Sequence, residues 1–204
     1  MNNVAFSIFG VAIYWYGLLI MAGLILGIII SVNLAKTRGY NSDFILDFVI
    51  LAVPLGIIGA RLFYVAFSFE EFAGRLDTIF SLRMSGLSIF GAVIGGIVAA
   101  LIFARWKKIS IWDLFDCAAP SLILAQALGR WGNFFNGEVY GGIVNNPGMK
   151  ISEYLALYPP AVFIKADGNW HLALFLIESV WNLITFAVLM TVFHKQKKGR
   201  GTVF

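Results

Sequence analysis

Five runs of mostly apolar residues, at 13–33, 48–69, 86–105, 116–136 and 172–193, constrain this chain more than any other feature. A helix rises about 1.5 Å per residue, so a run of about 20 crosses the roughly 30 Å hydrocarbon layer of a bilayer. Of the 204 residues, 60% are hydrophobic and 13% are charged. A soluble domain is nearer about 45–50% and about 25%, so much of this apolar surface needs lipid as its solvent. Hydrocarbon forces each span to satisfy its own backbone hydrogen bonds. The expected fold class is therefore an all-α integral membrane protein, a polytopic bundle of about five helices. Residues 1–204 are expected to form one transmembrane domain. Within it, 137–171 carries Pro147, Pro159 and Pro160 and reads as an interfacial lid or a set of short surface helices.

Charge patterning gives an orientation. Lys36 and Arg38 follow the first run; Arg105, Lys107 and Lys108 follow the third; Lys195, Lys197, Lys198 and Arg200 follow the fifth. The alternate connections dilute Arg75, Arg83, Lys150 and Lys165 with six carboxylates. The positive-inside rule then places the N-terminus outside and the C-terminus in the cytoplasm. No basic n-region precedes the first run, as a cleaved signal peptide would require. The lone Cys117 has no partner for a disulfide or a cysteine metal site and reads as a small apolar residue. Gly23 and Gly27, Gly56 and Ala60, and Gly91 and Gly95 are small-residue pairs four apart, which let helices approach closely. Neither a nucleotide-binding glycine loop nor a nucleic-acid patch is present, and no metal or cofactor is implied.

Polar chemistry is concentrated where lipid would disfavour it. Arg61 interrupts the second run and Glu178 the fifth. A charge at such depth costs roughly 2.5–3.5 kcal/mol unless it is paired or reaches water. Two readings fit: the two pair with each other or with neighbours, or they line a polar cavity. The stretch 129–142, GRWGNFFNGEVYGG, ends the fourth run. Arg130 and Asn133 are three apart and share a helix face. Arg130 offers a planar fork of donors suited to phosphate. Asn133 and Asn136 donate and accept, and Glu138 is placed to orient the arginine or act as a base. Gly132 and Gly137 allow close approach of another group. The cluster reads as a site for an anionic head group.

Residues 129–138, closing at Gly141, resemble the signature G-R-x-G-N-F-x-N-x-E-x-x-G of the prolipoprotein diacylglyceryl transferase family. Further stretches are similar to that family's motifs. They are Tyr14-Trp15-Tyr16-Gly17, Gly59-Ala60-Arg61 with Tyr64-Val65, SGLSIFGAVIGG at 85–96, and Glu178-Ser179 with Trp181-Asn182. The resemblance implies a seven-helix membrane enzyme of the bacterial cytoplasmic membrane. Its expected reaction moves the diacylglyceryl group of phosphatidylglycerol to the lipobox cysteine thiol of a preprolipoprotein, releasing glycerol phosphate. It also implies roles. Arg130, Asn133 and Glu138 are the expected catalytic residues. Tyr16, Arg61, Asn136 and Gly141 are the expected substrate-binding ones.

The sequence departs from the family pattern at Phe90, where many members carry a histidine, so Glu138, His171 or bulk solvent is left to take the thiol proton. Ala92 and Ile177 replace a family glycine and tyrosine. The family continues past the point where this chain ends, with a sixth helix and a further essential arginine. The resemblance thus covers roughly the first three quarters of a member. Alternative expectations are a catalytically incomplete lipid-binding relative and, less favoured by the apolar cytoplasmic halves of the spans, a small transporter.

Overall fold

The computed structural model describes residues 3–72, 86–144, 160–195 and 201–204. A short hairpin, β1 (Val4–Ile8) with β2 (Val11–Tyr14), leads directly into α1 (Trp15–Thr37). The helices α2 (Asp43–Phe67), α3 (Ile89–Lys107) and α4 (Ile111–Asn136) follow. A second hairpin, β3 (Ala161–Ile164) with β4 (Asn169–Leu172), then precedes α5 (Leu174–Lys195). All five helices are long and apolar enough to cross a membrane. They match the five expected runs, with ends moved by a few residues. The fold is the polytopic helical bundle expected, with the two hairpins added.

The hairpins were not legible as such. Residues 4–14 are nearly all apolar, without the alternation that marks a half-buried strand. Phe9 and Gly10, both at positive φ (49° and 81°), make the tight reversal between β1 and β2. Among the described residues of 137–171 the structure has the strands β3 and β4; residues 145–159 of the expected interfacial segment lie outside the described residues. Asp167 and Gly168 form their turn: the Asn169 N–H donates to Asp167 Oδ1 at 3.1 Å, and the Gly168 N–H to the Ile164 carbonyl at 3.0 Å. Pro147 and Pro159 lie outside the described residues.

The chain divides into two compact units, Met1–Ser31 with Ala118–Val203, and Val32–Cys117 with Phe204. In the first, α1 lies on α4 through small residues. A Cβ on Gly23 would stand 3.3 Å from Ala125 Cα, and one on Gly27 3.6 Å from Ser121 Cβ. One turn on, Ser31 donates to Ser121 across the same seam at 2.7 Å. Such contacts hold helices together where lipid removes the hydrophobic drive to associate. The hairpin β3–β4 adds Val162 and Ile164 to a core with Ala173 and Phe175, against which Phe134 packs.

In the second unit, α2 and α3 approach until only glycine fits. A Cβ on Gly91 would overlap the Gly59 carbonyl, and one on Gly95 the Leu55 carbonyl. Arg38, counted above among the topology-setting cations, is in fact 8% exposed and reaches both Asp113 Oδ1 and Asp116 Oδ2 at 3.2 Å. The Tyr40 hydroxyl adds a bond to Asp113 at 2.8 Å, and the Phe204 N–H one to Asp116 at 3.2 Å. These partners let α4 begin at Ile111, five residues before the apolar run itself. Cys117 is fully buried beside them, the structural placement its isolation implied.

Gly91→Val should separate α2 from α3 and cost about 1–3 kcal/mol or more, as overpacking does. A lowered unfolding temperature of the detergent-solubilised protein would record it. Gly96→Val, where a Cβ meets nothing within 4 Å, should leave that temperature nearly unchanged.

Candidate active site

The signature begins inside α4 and runs past its end. Arg130 lies six residues before Asn136, the last residue of α4, and so about 9 Å along the axis. Glu178 lies four residues into α5, about 6 Å from its start. Their depths match, and Arg130 Nε stands 2.6 Å from Glu178 Oε2. Neither atom has a linear hydrogen bond, so the contact is ionic. It uses Nε, and among the described residues no hydrogen bond engages either terminal nitrogen of the guanidinium, the fork that grips an oxyanion. Helix rotation is fixed one residue along. Trp131 Nε1–H donates to Ser179 Oγ at 3.1 Å, and Ser179 donates to the Ala127 carbonyl at 3.1 Å. Trp131 and Phe134 also meet the Phe175 ring, at 5.6 and 4.7 Å between centroids.

The two membrane-depth charges Arg61 and Glu178 pair with neighbours and not with each other, one of the arrangements expected. Glu178 takes Arg130, and Arg61 donates from Nη1 to the Gly86 carbonyl at 2.9 Å. Nor does Glu138 hold the arginine. It lies past the end of α4 and accepts from Asn136 Nδ2 at 3.3 Å. Its backbone N–H closes the helix on the Asn133 carbonyl at 2.9 Å, with Gly137 at φ +68° providing the reversal. Two membrane-depth charges of opposite sign, each within two turns of a helix end, were the available signal for the Arg130–Glu178 pair. The signature drew attention to Glu138 instead.

Tyr16, Asn136 and Glu138 come together. They line one cavity of about 720 Å³, with Asn3, Tyr14 and Met21 on its other walls. Gly132 makes this possible, because a Cβ there would stand 2.7 Å from the Tyr16 ring. Trp15 stacks on Phe135 at 5.1 Å and fixes the same seam. Arg130 lies below this cavity and does not line it; Asn133 shares the Arg130 face by its spacing of three. Arg61 belongs to the other unit. Among the described residues no three His, Cys, Asp or Glu side chains gather as metal ligands do.

Gly141 is held from two sides. Its N–H donates to the Leu172 carbonyl at 2.9 Å, and a Cβ there would stand 2.9 Å from Leu172 Cβ. Its carbonyl lies 2.8 Å from His171 Nδ1, while His171 Nε2 lies 2.7 Å from Asp167 Oδ2. A carbonyl and a carboxylate only accept, so the protonated ring, with an N–H at each nitrogen, is the form that satisfies both contacts. His171, expected at the mouth of the fifth span as a candidate base, is instead 5% exposed and ties the signature loop to β4. With both N–H groups engaged it has no lone pair to accept a thiol proton.

Burial works against the charged His171 ring, but the Gly141 carbonyl and the Asp167 carboxylate outweigh it and lift its pKa above the ordinary value. The Asn169 N–H, then the His171 ring, hold the Asp167 carboxyl below its usual range. The histidine's contribution to stability is therefore complete below about pH 6.5 and fades as pH rises through its raised pKa. The aspartate's is complete above about pH 4 and fades as pH falls through its lowered pKa. Thermal unfolding should show the largest gap between wild type and His171→Phe at about pH 4–6.5, closing on the alkaline side. Asp167→Asn should move the ring titration, followed by NMR, down toward 6.5.

The family described as Prolipoprotein diacylglyceryl transferase matches residues 3–204. A phosphatidylglycerol–prolipoprotein diacylglyceryl transferase of Clostridium kluyveri is 43% identical over 207 aligned residues, covering 100% of this chain and 78% of that protein. Proteins of the same name from Clostridium botulinum strains Langeland and 657 are each 41% identical over 204 residues, with 78% and 80% of their lengths covered. A family match along nearly the whole chain, with the signature residues built into one helix end and its loop, places this chain in the prolipoprotein diacylglyceryl transferase family.

Proposed function

We propose that this chain is a multi-pass enzyme of the bacterial cytoplasmic membrane that transfers the diacylglyceryl group of phosphatidylglycerol to the lipobox cysteine of a preprolipoprotein. The observation that carries this reading is Arg130. It is a permanent cation at membrane depth, anchored through Nε by Glu178, with its two terminal nitrogens left for an anion. The reaction asks for that group. The cysteine sulfur attacks the glyceryl carbon that bears the phosphate, the carbon–sulfur bond forms, and the carbon–oxygen bond breaks. Glycerol phosphate departs with the electron pair on its oxygen, so negative charge grows there. A preorganised cation aimed at that oxygen stabilises the transition state more than the ground state.

The other signature residues take supporting roles in this reading. Asn133 adds a donor beside Arg130. Tyr16 and Asn136 hold the head group from the cavity walls. Gly141 keeps the loop against β4, and Arg61 shapes the lipid path in its own unit. Glu138, exposed and lining the cavity, accepts the thiol proton, the role closed to Phe90 and to His171. The basic residues after the first, third and fifth runs support an outward-facing signature, on the side where exported lipoprotein precursors arrive.

A transfer assay with phosphatidylglycerol and a lipobox peptide tests this, read as a peptide mass gain of one diacylglyceryl group. Arg130→Gln should lower kcat by about 10²–10³. Arg130→Lys should recover only part of it, since lysine lacks the fork. Glu138→Gln should lower the rate at neutral pH by about 10² and recover as pH rises toward the ordinary thiol pKa near 8.5. Lipid binding without any transfer by wild type would favour the incomplete lipid-binding relative.

A further inference from the structure

The cavity that Asn136 and Glu138 share has a further wall, supplied by β2. Ala12, Ile13 and Tyr14 all line it. They are consecutive, and the side chains of a strand point alternately to opposite faces. A cavity under one face would meet every second residue, so this one follows the backbone edge of β2. One edge of β2 is taken by β1, and the cavity lies along the other.

The register says what that edge offers. Ile8 and Val11 flank the two-residue turn and make the hydrogen-bonded pair that closes such a hairpin, and Phe6 with Ile13 makes the next. Ser7 and Ala12 lie between them as a non-hydrogen-bonded pair, so the Ala12 N–H and C=O point away from β1. Ala12 is exposed, and among the described residues no backbone hydrogen bond from outside the hairpin reaches it. A free strand edge is a template for another chain. Gly17 lines the same cavity, and a Cβ there would meet nothing within 4 Å. Helix packing does not call for that glycine; its missing side chain leaves the space to the cavity.

Chemistry selects the occupant. An N–H and a C=O side by side ask for an acceptor and a donor in return, and one residue of an extended peptide supplies both. Phosphate and ester oxygens only accept. Among the described residues lining the cavity Glu138 alone is charged, and a carboxylate repels a phosphate but tolerates a neutral chain. We propose that an extended segment of the acceptor polypeptide adds to the first hairpin as a third strand along β2, pairing with Ala12 through the main chain and bringing its cysteine toward Glu138. This rests on the transferase reading above. It adds a peptide subsite to that reading, one that recognises backbone and so tolerates variation in the acceptor's side chains.

The full chain in detergent micelles would be titrated with a fluorescent lipobox peptide carrying serine for cysteine, and with a series of that peptide N-methylated at one residue at a time. Methylation at the residue opposite Ala12 should weaken binding about three- to tenfold, the worth of one neutral hydrogen bond. Methylation at either neighbour, whose N–H points away from β2, should not. Ala12→Pro removes an N–H that the hairpin ladder does not use, so the fold should persist and binding should fall by about the same factor. Gly17→Leu should block binding without lowering the unfolding temperature. A series in which every position weakens binding alike, or none does, would overturn the proposal whether or not the variants fold. So would a wild type that does not bind the peptide. The cysteine peptide with phosphatidylglycerol separates this proposal from the reading beneath it. Transfer with a flat methylation series would keep the transferase and remove the added strand. One sensitive position without transfer would keep the peptide subsite and remove the transferase.

Discussion

A permanent positive charge inside a membrane helix must meet an anion. Arg130 cannot shed its proton, so α4 can lie in lipid only if another element brings a carboxylate to the same depth. Glu178 does so at 2.6 Å. That requirement sets the register of α5 against α4, and the Trp131–Ser179 and Ser179–Ala127 bonds lock it. The aromatic contacts of Phe134 and Phe175 then carry the hairpin β3–β4, which in turn holds Gly141 and the signature loop. The ion pair is the price of keeping a cation in lipid.

The same economy governs the glycines. In lipid, helices gain little from burying apolar side chains against each other, so close backbone approach has to supply the attraction. Gly91 against Gly59 and Gly23 against Ala125 serve packing alone. Gly132 serves packing and chemistry together. It lets the Tyr16 ring lie on α4, and so brings Tyr16 to the same cavity as Asn136 and Glu138. Of the two approaches the sequence allowed at this glycine, a ligand or another helix, the structure shows the second, the Tyr16 ring of α1.

Proton handling is distributed differently from what histidine content suggests. Phe90 removes the base that many family members carry. His171, the other residue suited to the task by type, has both nitrogens committed to acceptors. Its ring is a structural tie between the Gly141 carbonyl and Asp167 at the hairpin turn. Glu138, by contrast, keeps an exposed carboxylate at the wall of the cavity.

By itself the sequence determined the class of solvent, the five spans to within a few residues, and the family. Long apolar runs and a dense linear signature are local properties, and no distant contact is needed to read them. Tertiary structure alone decided the pairings. Arg130 with Glu178, Arg61 with the Gly86 carbonyl, and Arg38 with Asp113 and Asp116 each join residues far apart in the chain. A charge's partner is set by which helix faces meet at which depth, and helix faces rotate with every residue. The two hairpins stayed hidden for a related reason. Their strands are only four or five residues long, and β1, β2 and β3 are almost wholly apolar, so no sustained alternation marked them off from the spans they adjoin.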